Sequence, residues 1–79
     1  MSYVTTKRVG VPGLWTRHRG VAVVGNATYH TKETYEKEKQ SDAMAAAETM
    51  RDFIERLLSF NGDPEIFKIT LADQGYVRE

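Results

Sequence analysis

A chain of 79 residues has room for one domain with a thin core of two layers at most. Eleven Lys and Arg balance eleven Asp and Glu, with 41% of the residues hydrophobic and 28% charged, so the composition is globular and not that of a disordered tail. There is no cysteine, which removes disulfides and thiolate metal sites, and the longest apolar run, Val21–Val24, is far too short to span a bilayer.

The N-terminal residues carry no apolar segment of the kind that directs secretion, so the expectation is a cytoplasmic protein. The first forty residues read as strand-like. Val11-Pro12-Gly13-Leu14 is a turn signal, although L-Pro-Gly favours a type II turn whose twist splays a two-residue hairpin. Gly25-Asn26, between Val21–Val24 and Ala27–Tyr29, is a stronger signal for a type II′ hairpin. Residues 32–40 leave three options open: a longer third strand, a frayed segment or the first turn of a helix.

A helix is predicted over residues 42–60. Ala43, Ala47, Met50, Ile54, Leu57 and Leu58 form a stripe of period 3.6, with Ile54 and Leu57 central to it. Ser41 is the expected N-cap, and Arg51–Glu55 and Asp52–Arg56 are expected pairs along the outer side. Asn61-Gly62 supplies a left-handed stop and Pro64 blocks continuation. Residues 65–71 alternate Phe67, Ile69 and Leu71 with Lys68 and Thr70, which reads as a strand, and residues 74–79 read as a loose tail. The predicted fold is therefore α+β over residues 1–79 as a single domain. Three N-terminal antiparallel strands carry one packed helix and one C-terminal strand, in the order βββαβ.

Charge is distributed unevenly. Residues 1–31 contain Lys7, Arg8, Arg17 and Arg19 and no acid, whereas residues 41–79 carry eight acids against four bases. If both hairpins have two-residue loops, Arg8 faces Arg17 and Arg19 faces Lys32, with Trp15 and His30 on the same side of the sheet. Like charges directly opposite one another are destabilising. Such a face calls for an acidic group, either a partner's or Asp52 or Glu55 of the helix folded over it. Trp15 beside these cations is either a core residue covering the sheet edge or an exposed aromatic of the type found in binding hot spots. The candidate partner-binding residues are Arg8, Trp15, Arg17, Arg19, His30 and Lys32.

Catalytic patterns are missing. His18 and His30 fall on opposite faces, no serine lies in a nucleophile motif, and the glycines match neither a phosphate loop nor a dinucleotide fingerprint. Glu48, Asp52 and Glu55 sit on the solvated side of the helix. A two-layer domain of this size leaves little room for a cleft of about 300 Å³, the lower end for ligand sites. No enzyme activity, cofactor or metal is expected.

In size and layout the whole chain resembles the small sheet-plus-helix proteins of bacteriophages and mobile elements, among them anti-CRISPR proteins, which bind and block a host machine. That resemblance implies a non-enzymatic protein-binding module. The arrangement of Trp15, Arg17 and Arg19 on the second strand is also similar to that of three-strand-plus-helix DNA readers such as integrase arm-binding domains. This second likeness implies, as an alternative, a nucleic-acid-binding domain that uses the basic sheet face. The expected partner is a macromolecule, a protein ahead of a nucleic acid, with no membrane involved. The chain is expected to be a monomer, or a homodimer sealed by Phe53 or Phe60.

Overall fold

The computed structural model describes residues 2–11, 14–60 and 63–79. Five strands and two helices follow one another as β1 (Ser2–Val11), β2 (Trp15–Val24), β3 (Ala27–Thr31), β4 (Tyr35–Glu36), α1 (Gln40–Ser59), α2 (Pro64–Asp73) and β5 (Tyr76–Arg78). The antiparallel sheet has the order β1-β2-β3-β5, and β4 pairs with β2 beyond the end of β3. The α+β class with an antiparallel N-terminal sheet is as predicted. The segment after the long helix, residues 63–79, is not.

The β2–β3 hairpin has the predicted two-residue turn. Val24 pairs with Ala27, and Gly25 takes φ 62°, a value that favours glycine. The β1–β2 hairpin differs by one residue. Val11 pairs with Trp15, so three residues connect the strands and not two. Three-residue connections are compatible with the strand twist that a two-residue L-Pro-Gly turn opposes. One residue of slip turns the whole of β1 over. Arg8 now faces His18, and Lys7 faces Arg19.

Even-numbered residues of β1 and β2 consequently face α1. Gln40 donates from Nε2 to Thr6 Oγ1 at 3.1 Å, and Ser2 Oγ donates to the Glu55 carboxylate. The helix stripe is as read from its period: Ala43, Ala47, Met50 and Ile54 are fully buried, whereas Leu57 is half-buried and Leu58 exposed. Its start is different. A 3-10 turn at Lys37–Lys39 leads into the helix, Lys39 takes the N-cap position, and no side chain caps it, so Ser41 lies inside the first turn. The expected pairs along the outer side are replaced by Arg51–Asp52 at 3.2 Å and by the Ser2–Glu55 contact.

Residues 65–71 are helical, not extended. Asp63 accepts a hydrogen bond from the Glu65 amide at 2.8 Å, Pro64 occupies the first turn, and Glu65 adds a negative charge there. The alternating pattern fits a helix as well, because Phe67 and Leu71 are four apart and share one face, which leaves Ile66 and Ile69 about 60% exposed. Gly75, at φ 81°, ends α2 and turns the chain back. Residues 76–78, expected to be loose, form β5 on the free edge of β3, with His30 opposite Val77. The Gly75 carbonyl accepts from the Lys32 amide and the Glu79 amide donates to Thr28, at 2.8 Å each.

Both helices lie on the same side of the sheet. Phe67 of α2 meets Tyr29 edge-on at 6.5 Å, and Phe53 of α1 meets Tyr76 at 5.7 Å. Ala22, Tyr29, Met50, Ile54 and Leu71 form the buried core. The turn chemistry read at Pro12-Gly13 and at Asn61-Gly62 falls outside the described residues.

Candidate binding face

The other side of the sheet carries no helix. Strand alternation places Tyr3, Lys7, Val9, Trp15, Arg17, Arg19, Val21, Val23, His30, Val77 and Glu36 there. Val21 is only 6% exposed on this helix-free side, so the long side chains around it form its cover. The two aromatic residues remain accessible, Tyr3 at 56% and Trp15 at 53%. They stand at opposite ends of the face, about 26 Å apart at the usual rise per strand residue.

Gly10 positions Trp15. Its φ is 132°, and a Cβ at this residue would lie 2.8 Å from ring atom Cε3 of Trp15 and 2.4 Å from its carbonyl oxygen. The absent side chain lets the indole rest against β1 and keeps part of its surface free. Arg17, two residues along, is fixed from the neighbouring segment: Nε donates to Thr34 Oγ1 and Nη2 to the Thr34 carbonyl, both at 2.7 Å. Glu36 of β4 sits opposite it.

The middle of the face holds the densest charge. Lys7 is opposite Arg19, and the Arg19 Nε is buried without a hydrogen-bond partner among the described residues. His30 lies one strand further on. The Glu79 carboxylate reaches over this group, with Oε1 3.8 Å from Lys7 Nζ and Oε2 3.9 Å from His30 Nδ1. Burial and then the positive charge of Arg19 hold the His30 pKa below its ordinary value of 6.5, with Lys7 adding to this and Glu79 opposing it.

Four of the six candidate residues, Trp15, Arg17, Arg19 and His30, therefore share one face. Arg8 does not join them: the slipped register sends it to the helix side, opposite the buried His18. Lys32 also leaves the face. The Thr31 hydroxyl accepts from the Gly20 amide at 3.1 Å and donates to the Glu33 carbonyl at 2.8 Å, which bends the chain before Lys32 can come opposite Arg19. The expected like-charge contacts Arg8–Arg17 and Arg19–Lys32 are replaced by Lys7–Arg19. The acids expected to cover the arginines, Asp52 and Glu55, belong to the helix on the far side of the sheet. Lys7, Tyr3 and Glu79 are members of the face that the sequence reading did not assign to it. Lys7 was hidden by the register, and Glu79 by the tail that turned out to be a strand.

A cleft of about 430 Å³ runs between α2 and β5, lined by Phe67, Lys68, Leu71 and Arg78 among others, so the two-layer fold has more room than expected. Among the described residues no group of three or more His, Asp or Glu is placed to hold a metal ion, and no helix is long and apolar enough to cross a membrane. No protein-family model, no curated protein and no solved structure matches this chain.

Proposed function

We propose that this chain is a non-enzymatic protein-binding module that docks an acidic surface of its partner onto the helix-free side of its sheet. The observation that carries this reading is that one uncovered face presents Trp15 and Tyr3 with Lys7, Arg17, Arg19 and His30 between them. Trp, Tyr and Arg are the residue types that dominate binding energy at protein interfaces. Arg17 is already held by Thr34, so less side-chain freedom is lost when a partner arrives. The Lys7–Arg19 contact is unfavourable in the free chain, and a carboxylate from a partner relieves it. A partner seated here loses about 800 Å² of its own surface, enough to obstruct whatever that surface does. The finer reading, a small inhibitor of the phage or mobile-element type, is supported by size and layout and adds obstruction of a host machine as the mechanism.

The test is capture of a stoichiometric partner by the intact chain and by three variants. Trp15→Ala and Arg19→Ala are expected to lose the partner, each costing about 2 kcal/mol or more, the threshold for a hot spot. Arg51→Ala, on the helix side, is expected to retain it. Retention by all three variants would remove the sheet face from the reading. Tight binding of oligothymidylate with a log–log salt slope of about −2, as expected for three single-strand phosphates neutralised, would replace the protein partner with a single-stranded nucleic acid.

A further inference from the structure

Among the described residues, Glu79 is the one acid whose carboxylate touches the central cations of the open face, and it does so from the end of a short edge strand. Its two oxygens divide between Lys7 Nζ, at 3.8 Å, and His30 Nδ1, at 3.9 Å. The side chain is 35% exposed and that of Lys7 61%, so the contact is reachable from solvent. Arg19 stands opposite Lys7 in the sheet, with its Nε buried and unpaired among the described residues. Lys7 and His30 thus flank one carboxylate, and Arg19 adds its positive charge beside them, opposite Lys7 and near enough to act on His30. Neither distance reaches that of a short charge-assisted hydrogen bond, so the contact is loose. Exposed ion pairs of this kind contribute little, typically under 1 kcal/mol. A second carboxylate arriving on a better-fitting surface can therefore displace it.

We propose that Lys7, Arg19 and His30 form a carboxylate subsite that the chain fills with its own Glu79, and that an acidic side chain of the protein partner takes this place on docking. The proposal rests on the reading of the open face as a protein-docking surface, and it adds where on that face the partner's acid goes and what it must expel. Glu79 acts as an internal competitor. It offsets only part of the repulsion among the cations in the free chain and sets a threshold that only an acidic ligand overcomes. A carboxylate is preferred over a nucleic-acid phosphate because the geometry present in the molecule is that of a carboxylate, spread over two nitrogens.

The experiment measures binding of a fluorescently labelled oligoglutamate peptide to the intact chain, to Glu79→Gln and to Lys7→Ala. Removing the competing charge in Glu79→Gln is expected to tighten binding about threefold, within the range for loss of an exposed ion pair, and Lys7→Ala to weaken it. In parallel, the His30 ring is followed by nuclear magnetic resonance against pH. In Glu79→Gln it should titrate at lower pH than in the intact chain, because the carboxylate no longer favours its charged form while burial, Arg19 and Lys7 still disfavour it. Unchanged or weaker oligoglutamate binding by Glu79→Gln, or no binding at all, overturns the proposal, as does an unmoved His30 titration. Binding of oligothymidylate in place of oligoglutamate overturns the ligand class. The docking reading fails separately, if Trp15→Ala and Arg19→Ala both still capture the partner.

Discussion

Gly20 shows how little space separates the two layers. A Cβ built on it would lie 2.7 Å from the Ala43 carbonyl oxygen, 2.9 Å from the Ala47 amide nitrogen and 3.0 Å from the Ala47 Cβ. Two of the three obstacles are backbone, which cannot swing aside as a side-chain tip does. The same closeness accounts for the small residues on the helix: Ala43 and Ala47 are fully buried because they lie over a strand position with no side chain. Gly20→Ala is therefore expected to push α1 away from β2 and to cost about 1–3 kcal/mol, the usual range for overpacking. Urea unfolding would show this as a lower midpoint with an unchanged slope. The Gly20 amide is also where the β2–β3 ladder gives way to the Thr31 hydroxyl, so one residue governs both the layer spacing and the bend that diverts Lys32. None of this is visible in the sequence, where Gly20 is simply a glycine inside a strand.

Among the elements, α2 is the one whose identity depends on its first residues. Asp63 and Pro64 supply a cap and a preset φ, and seven following residues that would serve equally as a strand become a helix. Asp63→Ala is expected to destabilise the domain by about 0.5–2 kcal/mol, measured by thermal unfolding, and to loosen the contact of Phe67 with Tyr29. What the sequence makes legible follows from this comparison. The stripe of α1 is long enough to exclude other periods, and Gly25-Asn26 sets its hairpin by turn chemistry alone, so the helix, β3 and the faces of β2 can be read directly. The β1 register depends on whether residues 12–14 connect the strands as two residues or three, and composition does not decide that. Residues 65–71 satisfy both periods. β5 has three residues and exists because Gly75 returns the chain to the free edge of β3, a tertiary event. The candidate face was legible to the same extent: β2 and β3 gave Trp15, Arg17, Arg19 and His30, while β1 and β5 concealed Lys7 and Glu79.

At the scale of the whole molecule the two layers differ in charge. Residues 40–73, which hold both helices, contain seven acids and three bases, whereas the opposite side of the sheet holds Lys7, Arg17 and Arg19 against Glu36 and Glu79. The net charge of zero conceals a dipole across the short dimension of a body measuring 44 × 21 × 19 Å. Stability is also graded along the length. Val21–Val24 of β2 are paired on both edges, by β1 and β3, and the helix-facing Ala22 is fully buried, whereas Trp15 and Thr16 pair only with β1. Native-state hydrogen exchange should therefore show the slowest amides around Ala22 and exchange faster by orders of magnitude near Val9 and Thr16, through local opening of the hairpin end. Uniform protection along both strands would mean that the hairpin end has support not seen among the described residues. Docking on the open face would slow exchange at this end, where Trp15 lies.

The connection between β1 and β2 works like a reading frame. Its three residues, from position 12 to position 14, determine which half of β1 meets the helix and which half meets a partner, since side chains alternate strictly along a strand. Loss of one residue from this turn, with the pairing otherwise kept, would exchange Lys7 for Arg8 on the open face and bring Lys7 under α1. Loss or gain of two would preserve the parity. Descendants of this sequence are thus free to lengthen or shorten the turn in pairs, while a single-residue change there would rewrite the binding surface without altering one residue of the strand that carries it.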